Sequence, residues 1–522
     1  MRFGDISDKT ESNHPRYFNA AATAPDGPFL SAFVDARSVP AGTVVEPDLA
    51  IVGGGPAGIS LALALAHTPL RIVLLEGGGM DFDAATQALY AGSSTGVRYL
   101  PLDASRMRYL GGSTNHWGGW CRPLDAIDFE KRDWVAHSGW PFGLETLKPY
   151  FKRAQSLVEA GDWQYDAATP RMQALAPLLG LGDGGVYTSW FQFSKTVGDV
   201  LPTHFGTRYA ADLKRIPNLQ VYLNASATAL KLSQNGATLD TLQVATLAGN
   251  RFAVRPRTAV LAMGAVETAR LMLASNVGNQ NDLVGRYFAD HPIPRDTATL
   301  VSFAGDIAGY YFNPADFGST LIRATLAPTD AFKRSRKVLG SLSTIESPVE
   351  LTEFDKAAVV TAALAVGADA SNAKAFTVGC GMELEPDPER RLTLTHDRDA
   401  LGLPRLKLVN RVSDSDFERY RDTMKELGRQ LLEARTGMIR LNYKTRAAWE
   451  GALDWGDHHL GTTRMHVDPK QGVVDANSKV HGIANLFVAG SGIFPTYSAS
   501  NPTLNLVALT LRLADHLKGL RA

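Results

Sequence analysis

The sequence predicts an α/β fold in which a dinucleotide-binding domain is built from both ends of the chain and a second domain is inserted between them. Three observations predict it. An apolar run from Asp48 to Val52 meets the pattern Gly53-x-Gly55-x-x-Gly58, and an alanine- and leucine-rich stretch follows. A second apolar run, "RIVLLEGGG", then completes a βαβ unit of about 30 residues. The last stretch, "NLFVAGSGIFPTYSASNPTLNLVALTLRLADHL", returns to strand, glycine turn and helix.

The elements follow in order. Residues 1–46 read as an arm packed on the surface, and 47–290 as the first part of the dinucleotide domain. Within that part, 96–150 is a Gly-, Trp- and Pro-rich irregular stretch, and a loop this long is more often functional than idle. Residues 291–450 mix alternating strand-like segments, polar loops and a charged helix near 414–435, and form the inserted domain. Residues 451–522 complete the first domain. A chain of 522 residues exceeds what one core fills.

Composition narrows the function. Lysine plus arginine and aspartate plus glutamate number 53 each, so no net charge draws the chain to nucleic acid or an anionic membrane. Cys121 and Cys380 are the only cysteines, too few for a disulfide framework or a Cys-ligated iron–sulfur cluster. The polar N-terminus lacks a signal-peptide pattern, and no apolar run reaches membrane-spanning length, so a soluble, cytoplasmic protein is expected.

The glycines carry the first chemistry. Gly53 permits a tight turn, Gly55 lets the backbone approach a pyrophosphate, and Gly58 lets helix and strand pack closely. The helix N-terminus offers free amides and partial positive charge. Glu76 closes the second strand, where a carboxylate can accept from ribose hydroxyls. These residues fit FAD or NAD equally. At the C-terminus Asn501 precedes Pro502, the pattern of an N-cap and first helical residue, and capping is the favoured reading on spacing alone. Upstream, "DHHLGTTRM" places His458 beside His459. Adjacent histidines are more often structural than catalytic, and a metal there would need further ligands; none is expected.

Taken together, "IVGGGPAGIS…LLEGG", "LGGSTNHWGG", "VGRYFADHP", "HHLGTTRM" and "SASNPTLN" resemble the glucose–methanol–choline (GMC) family of flavoprotein oxidoreductases. The resemblance runs from about residue 33 onward and is nearest the pyranose 2-oxidase, bacterial glucose dehydrogenase and glycoside 3-oxidase branch. It implies FAD as cofactor and an inserted α+β domain built on an antiparallel sheet that roofs the substrate. It implies that His458 is the catalytic base, that Asn501 is its partner, and that His459 is supporting or substrate-lining. Gly112, Ser113, Asn115, His116 and Trp117 would cover the flavin, with Gly490, Pro502 and Thr503 beneath it. His116 stands where that branch bonds covalently to the flavin, although other members hold FAD without a bond, and both modes stay open.

The implied reaction oxidises a secondary alcohol of a sugar or glycoside to a ketone. Its electrons would pass to oxygen, a quinone or a separate redox protein. Another alcohol (an aminoglycoside, a sterol or a simple alcohol) or non-redox lyase chemistry on the same fold are the alternatives. Trp190, Phe191, Tyr310, Tyr311 and Phe312 are candidates to stack on a sugar, though paired aromatics are more often core. Residues 303–318 read as a mobile lid or an ordinary loop, His291 as structural at the domain junction, and Cys121 as a small buried residue.

Overall fold

The computed structural model describes residues 32–520, apart from 166–174, 176–178, 180, 182–183 and 195–201; the first 31 residues of the expected arm lie outside it. Six strands form a parallel sheet in the order Ala32–Asp35, Leu219–Leu223, Ile72–Leu75, Leu49–Val52, Thr258–Leu261, Leu486–Val488. Leu49–Val52 and Ile72–Leu75 are buried at every position, as befits parallel strands covered on both faces. Strands from both ends of the chain therefore share one sheet. Within the expected arm, Ala32–Asp35 is a half-buried edge strand of this sheet.

The helix Pro56–Ala64 leaves the central strand with Gly55 as its N-cap. Gly53 adopts φ 110°, and a Cβ on Gly58 would lie 1.9 Å from the Gly53 carbonyl oxygen, so this turn closes only with glycine at both places. The C-terminal helix Pro502–Gly519 packs on Pro56–Ala64 and on Lys148–Leu157.

The second sheet is antiparallel, in the order Gly437–Leu441, Ala298–Ser302, Lys374–Met382, Ser341–Val349, Thr320–Pro328, Val186–Phe193, Trp120–Cys121, with Ala315–Phe317 paired to Thr320–Pro328. The helix Asp414–Glu433 opens on a Ser413/Asp416 capping box and buries Phe417, Tyr420, Met424, Leu427 and Leu431. Two strands of this sheet, Trp120–Cys121 and Val186–Phe193, come from inside the span 47–290. The chain thus crosses into the second sheet before residue 291 and returns. Residues 303–318 hold a single 3-10 turn and the strand Ala315–Phe317, so their end is tied to the sheet. A small sheet of Arg391–Arg398, Pro404–Asn410 and Ser93–Gly96 carries a turn whose Asp399, Leu401 and Leu403 line the main cavity. Among the described residues no helix is long and apolar enough to cross a membrane.

Candidate active site

A cleft of about 310 Å³ runs from the Gly53–Gly58 turn to the His458/Asn501 pair. Three helices start on its wall: Pro56–Ala64, Gly264–Ala274 and Pro502–Gly519. Gly55, Met263 and Asn501 occupy their N-cap positions, and none makes a side-chain capping bond. Three sets of first-turn amides and three positive dipole ends therefore face one cavity, which suits a ligand with several anionic groups. A Cβ on Gly55, Gly264 or Gly490 would meet nothing within 4 Å, so the backbone is bare there to an incoming group. On these grounds the cleft fits FAD.

Of the residues expected to hold the cofactor, Gly53, Gly55, Glu76, Gly112, Ser113, His116, Trp117, Gly490, Pro502 and Thr503 line the cleft. Gly58 and Asn115 do not. Gly58 serves the packing beneath the turn. Asn115 donates its amide to the Leu110 carbonyl (2.8 Å) and holds the loop from behind. That loop docks on the glycine turn through the Gly111 amide and the Gly54 carbonyl (2.8 Å), and Trp117 Nε1 donates to the Thr203 carbonyl (3.1 Å). Glu76 is buried, and its two oxygens accept from the amides of Gly54 (2.7 Å) and Gly78 (2.8 Å). Burial pushes its carboxyl above the usual range.

At the other end, Asn501 Nδ2 stands 3.2 Å from His458 Nε2. The capping reading of Asn501 fails here, because the side chain turns to the imidazole and leaves the helix amides free. His458 is held from behind. Its Nδ1 lies 2.9 Å from His291 Nδ1, and its backbone amide donates to Asp290 Oδ1 (2.8 Å). Asp290 Oδ1 also accepts the His291 amide (2.7 Å), and Tyr99 donates its hydroxyl to the second Asp290 oxygen. Burial, with His291 and His459 nearby, holds His458 well below the ordinary histidine range, so the imidazole is neutral at physiological pH. His459 lines the cleft with its ring against Tyr99 and Phe288, and its buried Nε2 has no partner. Burial and the Arg106 charge depress it to about 3.

Several contacts here were not expected from the sequence. His291 was read as structural, yet its ring touches the candidate base; the signal was its place in "DHP". Trp120 lines the cleft, whereas Trp190, Phe191 and Tyr311 are buried in the core and do not. A cationic wall closes the far side. Arg106 bonds Glu267 (2.9 Å), and Arg270 bonds both Glu267 (3.3 Å) and Asp399 (2.7 Å). Arg106 and Arg108 lie 4.0 and 4.8 Å from the Tyr90 ring centre. The signal for this wall was "SRMRYL" and the Glu267/Arg270 helix spacing. Cys121 is fully buried, its thiol pushed up to about 12, and takes no part. The carboxylate–histidine groups Asp290/His291/His458 and Asp290/Asp457/His459 each gather within 4.8 Å, but in the first the ring nitrogens already bond each other.

Comparison with known proteins agrees with this construction. Residues 48–347, more than half of the chain, match the family model described as FAD dependent oxidoreductase, and residues 386–510 match the one described as GMC oxidoreductase. The C-glycoside 3-oxidase of Microbacterium trichothecenolyticum is 25% identical over 434 residues, 78% of this chain and 75% of its own. The paromamine 6'-oxidase of Streptomyces fradiae is 22% identical over 530 residues, 90% and 91% of the two chains. Among solved structures, pyridoxine 4-oxidase from Mesorbium loti superimposes with a TM-score of 0.59 at 19% identity, over 90% of this chain and 99% of its own, and so shares the fold.

Proposed function

Because the chain belongs to the GMC oxidoreductase family of FAD-dependent enzymes, we propose that it oxidises a secondary alcohol of a sugar or glycoside to the ketone, with His458 as base. The observation that carries this reading is the His458/Asn501 pair, 3.2 Å apart, lining the same cleft as the bare glycine backbone and the three helix N-termini.

An alcohol C–H is a poor hydride donor until its O–H proton is leaving. His458 is neutral and buried, so it can take that proton at Nε2. Asn501 donates from Nδ2 to the same oxygen and fixes its position. FAD, when bound, supplies the two-electron acceptor. Gly53, Gly55 and Glu76 would hold its dinucleotide end, and Gly490, Pro502 and Thr503, with the loop from Gly112 to Trp117, its other end. His116 lies in that loop, and covalent attachment there is tested by whether acid precipitation leaves the yellow colour in the pellet. Trp120 and His459 line the same cleft and give it ring surface.

The sugar reading rests on the C-glycoside 3-oxidase likeness. An aminoglycoside is the second reading, favoured by the likeness to the paromamine 6'-oxidase along 90% of the chain. The acceptor is oxygen, a quinone or a separate redox protein. The test is to mix the yellow protein without air with glucose, xylose, O- and C-glycosides and aminoglycosides. Loss of the flavin band near about 450 nm marks the substrate class. Recovery on admitting air marks an oxidase. Protein that holds FAD and bleaches with none of them refutes the carbohydrate reading. His458→Ala should keep its colour and lose about 10²-fold or more in turnover.

A further inference from the structure

We propose that His291 is a positioning residue that fixes the tautomer of His458, keeping the proton on His458 Nδ1 and leaving Nε2 bare toward the substrate and Asn501. The inference rests on the reading of His458 as base and assigns a part to a residue outside that pair.

The donor and acceptor roles along the chain of contacts are forced from one end. His291 Nε2 lies 2.8 Å from the carbonyl oxygen of Ser498. A carbonyl can only accept, so His291 Nε2 carries a hydrogen. A neutral imidazole holds one hydrogen, so His291 Nδ1 is a bare lone pair. That lone pair faces His458 Nδ1 at 2.9 Å, and the contact is a hydrogen bond only if His458 donates from Nδ1. His458 then has its own lone pair at Nε2, opposite the Asn501 amide group. The reverse order would set the His291 Nε2 lone pair against the Ser498 carbonyl.

The chain requires His291 to be neutral, and its surroundings make it so. It is buried, with the Tyr497 ring 4.9 Å away and nearly perpendicular, and its neighbour Asp290 spends one oxygen on the two backbone amides. Burial pushes His291 down to about 4. A metal between the two rings does not suit the distance, since nitrogens sharing one tetrahedral zinc stand about 3.3 Å apart or more. The contact also has built space: a Cβ on Gly456 would lie 2.9 Å from His458 Nδ1 and 3.5 Å from the His291 Cβ.

The arrangement serves the reaction twice. When His458 takes a proton at Nε2, its Nδ1–H becomes a charge-assisted donor to His291, so the bond strengthens as charge develops. The same His291 holds the Ser498 carbonyl, three residues before Asn501, at a turn where Ser498 adopts φ 53°. One buried ring thereby ties the base to the loop that carries its partner.

Two substitutions separate the two bonds. An asparagine carbonyl falls about where a histidine Nδ1 sits, so His291→Asn keeps an acceptor for His458 and loses Ser498. A glutamine amide reaches about where Nε2 sits, so His291→Gln keeps Ser498 and loses the acceptor. The measurement is a long-range 1H–15N correlation on the FAD-loaded protein labelled with 15N-histidine, the His458 ring being assigned by its absence in His458→Phe. The expected result is an Nδ1–H ring for His458 in the wild type and in His291→Asn, and an Nε2–H or mixed ring in His291→Gln. On any alcohol that bleaches the flavin, kcat/KM should fall about 10²-fold or more in His291→Gln, as expected of a base in the wrong tautomer, and much less in His291→Asn. An Nε2–H ring for His458 in the wild type overturns the proposal, even if neither variant folds. So does an unchanged Nδ1–H ring in a folded His291→Gln. Failure of every alcohol to bleach the flavin would refute the functional reading and leave the tautomer result standing.

Discussion

Gly456→Ala tests the placement of the proposed base, His458, with one methyl group. Gly456 does not use the left-handed region, so alanine is allowed by the backbone. The new Cβ would sit 2.9 Å from His458 Nδ1 and 3.2 Å from its Cε1. Ordinary contact needs about half an ångström more. The His458 ring has to move, because the Cβ of His291 stands on the other side at 3.5 Å. A 1 Å misplacement of a catalytic group costs about 10²-fold, so a shift of half that size should cost about 10-fold in kcat/KM. Crowding costs about 1–3 kcal/mol, and the loss of glycine freedom in the unfolded chain returns about 0.4–1 kcal/mol, so stability should fall by about 0–2.6 kcal/mol. The assay is steady-state kinetics on the alcohol that bleaches the flavin, with thermal melting alongside. Gly451→Ala is the control, since a Cβ there meets nothing within 4 Å. Full kcat/KM in a folded Gly456→Ala would show that the His458 ring is not held between Gly456 and His291.

Burial holds His458 well below the ordinary histidine range, so the proposed base stays neutral as pH falls, and the acid limb of kcat/KM should lie below that range; a limb centred within the ordinary histidine range would contradict this burial. Asp290 is raised from 3.8 to about 7, so the folded protein binds its proton more tightly than the unfolded chain does, and this contribution to stability is lost as pH rises from about 4 through about 7. Asn keeps an acceptor for both amides without the charge, so the melting temperature of Asp290→Asn, compared with wild type, should rise across that window and then level; a constant difference would refute it. In Gly58→Ala the added Cβ would lie 1.9 Å from the Gly53 carbonyl, so the variant should bind FAD poorly or fail to fold, as judged by flavin content after purification.

Much of the first domain was legible because its signals are local. The glycine spacing, the two apolar runs and the Asn-Pro step each occupy a few consecutive residues, and each maps to the strand, turn or helix expected. The domain boundary at 291 was not legible. Trp120–Cys121 and Val186–Phe193 join the second sheet through pairings with residues far along the chain, and a strand carries no mark of the sheet it will join. The aromatic candidates misled for a similar reason: Trp190 and Phe191 read the same whether a strand face meets the core or a ligand.

By itself the sequence determined the βαβ unit of the nucleotide-binding sheet and the family likeness, since these depend on residue type at fixed short spacing, and that likeness alone implied His458 and Asn501 as a pair. Only the tertiary structure decided which role each side chain plays. Asn501 is a fitting N-cap by spacing, and it is the 3.2 Å approach of His458 that turns its amide away from the helix. His291 lies far from His458 in sequence, and its contact with the base exists only because Asp290 takes both backbone amides and Gly456 leaves room for the two rings. A hydrogen bond is a matter of distance and direction across the fold, and neither is written in the order of residues.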